Sequence, residues 1–489
     1  MLHIVTAALS IKNLVFQTPG GFPMKELACV ILAAGKSTRM KSATSKVLQD
    51  LAGRPVISYS IEAAKRLGAD PIVVVTGPDD RELASYLKEA GVARVIQSEA
   101  KGTGHAVMSA ARKLSGIEGD VLILCGDVPL VRSESLQSFV KDMRSQRAAM
   151  GVLTMIPADP ASYGRIVRDL DGRIIRIVEA RDANAEELAS REVNSGIICA
   201  RREWLFRALK RIGNDNAKGE YYLTDLVGIA LREGLSVAAH LSEPAEDFLG
   251  INTRVDLARV AEIMRERINK AHMLAGVGVM DFRHTYIDEG VKLGQDTTVM
   301  PHAFLRGKTR VGRNCIIENG VVLTDAVIAD NVHVKSYSVI EESQIEEGAT
   351  VGPFARVRPG SKVGRSARVG NFVELKKCTM KRGAKASHLT YLGDAIVGEG
   401  ANIGCGTITC NYDGVHKHLT VIGDGAFVGS DTQFIAPVSI GKGSVIGAGS
   451  TITKDVPAHA LSLSRTDQKI VSGWAMKKDR KASKGKRKG

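Results

Sequence analysis

Three stretches of the sequence hold residue types that could do chemistry. The first, LAAGKSTRM at 32–40, follows the apolar run LACVILAA. Its small residues let backbone N–H groups approach a phosphate, whose charge Lys36 and Arg39 can neutralise. The pattern is neither GxxxxGK[ST] nor GxGxxG, and taken alone it also suits a turn. It gains weight from Lys46 in SKVL, within reach of the same phosphates, and from GTGHA at 102–106. The second stretch, LCGDVPL at 124–130, ends an apolar run on Asp127. An aspartate at such an exit is an ordinary cap or, beside a phosphate loop, a ligand for Mg²⁺, which prefers hard oxygen donors. The third, KASHLTYLGD at 385–394, gathers His388, Tyr391 and Lys385, with Arg358 in RVRPG, Lys376 in ELKK, and Asn411 and Tyr412 in CNYDG nearby. A lone histidine in a repetitive domain is a packed or surface residue in the bland reading. In the sharp reading it is a general base, since imidazole ordinarily titrates near pH ~6.5.

The elements that must position these residues follow from hydrophobic patterning. Strand-like runs at 27–34, 72–76 and 121–125 alternate with helical stretches such as VISYSIEAAKRLG and GHAVMSAARKL. That alternation predicts a parallel sheet with helices on both faces, and ligands in such sheets bind outside the carboxyl ends of the strands. GKSTRM and GDVPL then share one rim. From 254 onward, Leu257, Val260, Met264, Ile268 and Ala271 recur at helical intervals, predicting an amphipathic connecting arm.

Beyond the arm a six-residue period takes over. Leu293, Val299, Leu305, Val311 and Ile317 follow it. So do Ile345, Val351, Val357, Val363 and Val369, and again Ile422, Val428, Phe434, Ile440, Ile446 and Ile452. A six-residue step advances about 600° around an α-helix, so no helical face is kept. It suits hexapeptide repeats, with one apolar residue per short strand pointing into a parallel β-helix, left-handed as hexapeptide proteins are. The period lapses between about 370 and 397, which predicts that KASHLTYLGD is freed from building regular coils.

Length and composition agree with two or three domains: 489 residues, 44% hydrophobic, 25% charged, only 4% aromatic and rich in glycine. The net charge is +14, and half of it comes from the last thirteen residues, KKDRKASKGKRKG. That tail is a solvated end or, on the sharper reading, a nucleic-acid or membrane contact. The remaining excess suits phosphorylated ligands. Seven scattered cysteines without a CxxC pair fit reduced thiols in the cytoplasm, and no apolar run approaches a membrane span. Residues 1–24 read as an extension before Met24, with a signal peptide as the minority reading.

LAAGKSTRM, SKVL, GTGHA, GDVPL, YGRIV, IVEARDA, VNSGI, NAKGEYYLTD and GINTR occur in order. In this the chain resembles the bacterial bifunctional N-acetylglucosamine-1-phosphate uridyltransferase/glucosamine-1-phosphate acetyltransferases, from Met24 to about Arg465. The resemblance implies an α/β fold with a Rossmann-like nucleotidyltransferase domain followed by a left-handed parallel β-helix. It implies an extension at 1–24, a uridyltransferase domain at 25–253, a helical linker at 254–276, an acetyltransferase domain at 277–465 and a basic tail at 466–489. In the first domain Leu32, Ala33, Ala34, Gly35, Cys125 and Gly126 would hold the nucleotide, and Gln97, Gly102 and Thr103 would recognise uracil. Arg39 and Lys46 would stabilise the transferring phosphates, Asp127 and Asn252 would hold Mg²⁺, and Gly164, Glu179 and Asn194 would bind the N-acetylated sugar. Cys125 departs from the tyrosine common in the family.

In the second domain the resemblance makes His388 the proton acceptor for the attacking amine. Arg358, Lys376, Tyr391 and Asn402 would bind the sugar phosphate, and Cys405, Asn411, Tyr412, Ser430, Ala448 and Arg465 would bind acetyl-CoA. Cys405 stands where the family has alanine, and a covalent acetyl-cysteine route finds no support. The substrates implied are glucosamine 1-phosphate, acetyl-CoA and UTP, the assembly a cytoplasmic homotrimer with no specific nucleic-acid partner, and the product a precursor for peptidoglycan and lipopolysaccharide. Two other readings remain open at this point. One is a single sugar-1-phosphate nucleotidyltransferase with a structural or regulatory β-helix. The other is a non-catalytic assembly protein built on a degenerate enzyme.

Overall fold

A computed structural model describes residues 26–35, 37–160 and 162–476. Lys36, the extension at 1–24 and residues 477–489 of the basic tail lie outside the described residues. The chain divides into two compact units, Met1–Met264 and Arg265–Gly489.

The first unit is built on a sheet of nine strands: β1 (Leu27–Ala33), β2 (Ile72–Thr76), β3 (Ala93–Ile96), β4 (Asp120–Cys125), β5 (Met150–Met155), β6 (Arg165–Arg168), β7 (Ile174–Val178), β8 (Val193–Arg201) and β9 (Val237–Leu241). Its main order is β9-β5-β8-β4-β1-β2-β3, with the β6–β7 pair branching from β8. The period-2 geometry of a strand gives each face its own core. Leu27, Cys29 and Ile31 of β1 pack with helices Val56–Arg66, Arg81–Glu89 and Ser133–Ser145. Ala28 and Val30 pack with helices Thr103–Ser109, Arg202–Leu209 and Leu226–Arg232. Each fully buried Val, Leu or Ile contributes roughly 1.5–3 kcal/mol relative to exposure. With both faces covered, β1 reads as a continuous apolar run rather than an alternating one.

The sheet is not wholly parallel. β1 runs parallel to β2 and β4, but β8 runs antiparallel to β4 and β5. The connection from β5 to β8 passes through the antiparallel β6–β7 pair, not a crossover helix, so it can return the chain in the opposite direction.

Helix Arg254–Leu274 occupies the expected arm. After it come 26 strands in one ladder, most of them two or three residues long and paired in parallel with a strand one coil later. Phe304 pairs with Val322 and Val322 with Val339, offsets of 18 and 17 residues. This is a parallel β-helix. All the apolar positions of the six-residue series are buried except Leu293, which is half-buried.

The expected lapse between 370 and 397 is corrected by the structure. β10 (Arg368–Met380) and β11 (Lys385–Val397) pair along almost their whole length, and Val369, Leu375, Met380, Ala386, Leu392 and Val397 all point inward and are buried. The coil persists. What changes is one corner of the coil, where Leu375 to Met380 and, one coil later, Leu392 to Val397 take five residues instead of six and shift the phase of the pattern. A true interruption lies further on, where Ala395 pairs with Thr420 at an offset of 25. The extra residues, including Asn411 and Tyr412, loop out and are pinned by a bridge between Tyr412 and Lys417.

Candidate active sites

In the first unit the rim at the carboxyl ends of β1 and β4 gathers the charged residues singled out in the sequence. β1 ends at Ala33, and Leu32 is held by a hydrogen bond from Gly126 N–H to its carbonyl at 2.9 Å. Ala34 and Gly35 follow as open loop, and a Cβ on Gly35 would meet nothing within 4 Å. Arg39 lies on the 3-10 turn Thr38–Met40, and Lys46 opens the turn Lys46–Leu48. Ser37 Oγ accepts from Lys46 N–H at 3.2 Å and ties the two turns together.

Four of the expected residues meet directly. Lys46 Nζ donates to Asp127 Oδ2 and, at 3.0 Å, to Asn252 Oδ1. Arg39 Nη2 donates to the same Asn252 oxygen at 2.9 Å. Asp127 and Asn252 thus present oxygen donors toward one point, where a cation already sits as the Lys46 ammonium. That donor set fits Mg²⁺, which takes one or two protein oxygens and keeps its remaining positions for water and phosphate. Among the described residues no cluster of three His, Cys, Asp or Glu side chains could hold a metal by itself.

Two further groups surround this centre. Gln97 follows β3, is buried, and donates from Nε2 to the Gly102 carbonyl at 3.1 Å. Gly102 has φ 97°, and a Cβ there would lie 2.7 Å from the Tyr221 carbonyl, so only glycine fits. Thr103 Oγ1 accepts from Leu223 N–H at 3.1 Å. On the other side, Asn194 N–H donates to the Gly164 carbonyl at 2.8 Å, and a Cβ on Gly164 would lie 3.7 Å from Glu179 Oε1. Burial raises the pKa of Glu179 above the ordinary carboxylate value. Burial, then the Asp127 carboxylate, pushes the Cys125 thiol up to about 12. Its Sγ packs over Gly196, whose φ of 83° and lack of a side chain make room.

In the second unit, the structure lays the expected residues along one stretch of the solenoid. Glu374, Tyr391, Ile408 and Gln433 form a row across successive coils. On one side of that row the backbone links Leu389 to Gly406, Cys405 to Asp431 and Ser430 to Gly449, and Arg465 Nη1 donates to the Ala448 carbonyl at 3.0 Å. His388, Cys405, Ser430, Ala448 and Arg465 therefore follow one corner of the solenoid. On the other side Lys376 Nζ lies 3.4 Å from Asp394 Oδ2, to which Asn411 Nδ2 also donates. Arg358 Nη1 donates to Glu374 Oε1 at 2.9 Å. Asn402 pairs with Lys385 one coil back, and Tyr412 is exposed on the looped-out segment.

Four residues at these centres escaped the sequence reading. Asp256 Oδ2 accepts from the N–H groups of Asn252 and Thr253. The pattern T-x-x-D at 253–256 carries that signal. Asp394 is the last residue of KASHLTYLGD itself. Lys417, on the looped-out segment, stands beside Lys376, whose like charge holds its pKa below the ordinary lysine value. Asn371 Oδ1 lies 2.7 Å from His388 Nδ1. Asn371 could be found only by stacking the chain at 17 residues per coil.

A sheet whose rim gathers Arg39, Lys46, Asp127 and Asn252, followed by a coil carrying its own polar cluster, fits a nucleotidyltransferase joined to a hexapeptide transferase. Comparison with known proteins agrees. Residues 29–173 match the MobA-like NTP transferase domain, 419–454 match the bacterial transferase hexapeptide (six repeats), and 284–359 match the GMPPB C-terminal domain. The chain is 50% identical over 452 residues to the bifunctional protein GlmU of Trichlorobacter lovleyi, covering 92% of this chain and 98% of that one. It is 48% identical to the protein of the same name from Pelobacter propionicus, over 94% of this chain and all of that one. Identity to the Geobacter sulfurreducens protein is also 48%, over 93% and 99%. The chain belongs to the family of bifunctional GlmU proteins.

Proposed function

We propose that the β-helix unit acetylates glucosamine 1-phosphate from acetyl-CoA and that the first unit joins the product to UMP from UTP, giving UDP-N-acetylglucosamine and pyrophosphate. The observation that carries this reading is the presence of two separate polar centres, one in each unit, in a chain half identical to bifunctional relatives along nearly its whole length. A purely structural β-helix would have no need of the Lys376, Asp394 and Asn411 cluster.

In the first unit, a phosphate oxygen of the sugar 1-phosphate attacks the α-phosphorus of UTP in line and pyrophosphate leaves. Little covalent participation by the protein is needed, and positioning with charge stabilisation supplies the catalysis. Arg39 and Lys46 neutralise the transferring phosphates, while Leu32, Ala33, Ala34, Gly35 and Gly126 bring backbone to the nucleotide. Gln97, Gly102 and Thr103 read the base. Gly164, Glu179 and Asn194 hold the N-acetylated sugar. Asp127 and Asn252 would hold Mg²⁺, which when bound neutralises charge on phosphate oxygens. Cys125 contributes its backbone, its thiol being neutral.

In the second unit, the free amine of the sugar attacks the thioester carbonyl, the C–S bond breaks, and CoA leaves as its thiolate, which takes up the proton that His388 has removed from the amine. His388 accepts the amine proton. Arg358, Lys376, Tyr391 and Asn402, joined by Lys417, hold the sugar phosphate. Cys405, Asn411, Tyr412, Ser430, Ala448 and Arg465 form a track for acetyl-CoA along the solenoid. A single chain offers this track as an open wall, and a homotrimer of solenoids would close it from the neighbouring copy. Seven unpaired thiols suit a reducing cytoplasm. Among the described residues no helix is long and apolar enough to cross a membrane.

Product analysis tests the reading. With glucosamine 1-phosphate, acetyl-CoA, UTP and Mg²⁺ the chain should form UDP-N-acetylglucosamine. Omitting UTP should stop at N-acetylglucosamine 1-phosphate, and omitting acetyl-CoA should leave glucosamine 1-phosphate unconverted. Formation of a UDP-sugar without acetyl-CoA, or no acetylation at all, would contradict it.

A further inference from the structure

Asn371 and His388 sit directly opposite one another on β10 and β11. The residue after each is left-handed, Phe372 at φ 56° and Leu389 at φ 42°, so two successive coils turn the same corner in step. Gly370 allows the coils to approach there, since a Cβ on it would lie 1.9 Å from the Ser387 carbonyl. The backbone of His388 is further held by Thr390 Oγ1, which donates to its carbonyl at 2.7 Å. Within this frame Nδ1 of His388 lies 2.7 Å from Asn371 Oδ1.

A carboxamide oxygen has no proton to give, so the hydrogen of this contact belongs to Nδ1. Neutral imidazole carries one ring proton, and with Nδ1 protonated the lone pair lies on Nε2. We propose that Asn371 is a positioning residue that fixes the tautomer and ring orientation of His388, leaving Nε2 to take the proton from the attacking amine. The inference rests on the reading of His388 as the acetyl-transfer base. As the amine nitrogen bonds to the acetyl carbon and the C–S bond breaks, the amine proton passes to Nε2 and from there to the departing CoA thiolate. The imidazolium so formed keeps its Nδ1–H bond to the amide oxygen, which also stabilises the new positive charge. Outer partners that orient metal-bound histidines are worth about 10- to 100-fold, and by analogy a similar factor is expected for Asn371.

The experiment uses the full chain with both activities assayed and the histidines labelled with ¹⁵N, the His388 signals being assigned by their loss in His388→Gln. In the unsubstituted protein Nδ1 should be the protonated nitrogen, and in Asn371→Ala the signals should move toward a mixture of tautomers. Asn371→Ala should lower kcat of acetyl transfer about 10- to 100-fold, leave KM for glucosamine 1-phosphate within about twofold, and leave uridyl transfer unchanged. In a His388→Ala background the same substitution should cost nothing further. Protonation at Nε2 in the unsubstituted protein, or full acetyl transfer in Asn371→Ala, would overturn the proposal. If His388→Ala itself retains acetyl transfer, the base assignment fails. If His388→Ala is inactive while Asn371→Ala is not slowed, the positioning role alone fails.

Discussion

Asp256 holds Asn252 in place through its carboxylate, whose Oδ2 accepts from the Asn252 backbone N–H at 3.0 Å. The same oxygen accepts from Thr253 N–H, while Thr253 Oγ1 accepts from Asp256 N–H at 3.1 Å. The reciprocal cap that begins helix Arg254–Leu274 therefore also sets the residue whose side-chain oxygen receives Arg39 and Lys46.

Asp256→Ala should accordingly do two things. Loss of the cap should cost about 1 kcal/mol, read as a lower urea midpoint. Uridyl transfer should fall about tenfold while acetyl transfer is kept, because Asn252 loses its support. A destabilised variant with full uridyl transfer would limit Asp256 to capping.

The raised pKa of Cys125 makes a prediction about pH. With a value of about 12, only on the order of 10⁻⁴ of the thiol is ionised at pH 8. Its alkylation by iodoacetamide, followed by mass spectrometry, should keep rising about tenfold per pH unit through pH ~10. An ordinary exposed thiol, with a pKa near ~8.5, levels off earlier. A Cys125 rate that plateaus below pH ~9 would show that burial does not suppress its thiolate.

The hexapeptide register predicts opposite outcomes for neighbouring residues. Ile446 is buried in the coil and Val445 is 42% exposed. Ile446→Ala should cost about 2–5 kcal/mol in urea unfolding, and Val445→Ala less than about 1 kcal/mol. Equal costs would contradict the inward and outward assignment.

How much of this was legible in the sequence depended on what burial dictates. The run of β1 and the apolar residues at Val351, Val357 and Val363 declare themselves because a core admits nothing else there. The direction of β8 does not, since its apolar residues suit either orientation and only the preceding β6–β7 pair decides it. The five-residue corners from Leu375 to Met380 and from Leu392 to Val397 hid the continuity of the coil, each dropping one residue. Arg39, Lys46 and Asp127 stood out through local patterns on one rim. Asn371, Asp394 and Lys417 acquire meaning only through partners about one or more coils away, which local patterning does not reveal.

Removal of divalent cations should separate the two centres. If Asp127 and Asn252 hold Mg²⁺ as proposed, excess chelator should abolish uridyl transfer, reversibly on adding Mg²⁺. Acetyl transfer should be within about twofold of its starting rate, since the centre proposed for it uses Arg358, Lys376 and His388 rather than a metal. Loss of both activities would place a metal requirement in the second unit as well.

Two independent centres on one chain should come apart in paired assays on two variants. His388→Ala should lose acetyl transfer by at least about 10²-fold with uridyl transfer near normal, and Asp127→Ala should show the reverse. Loss of both activities in both variants, with each still folded, would contradict independent sites.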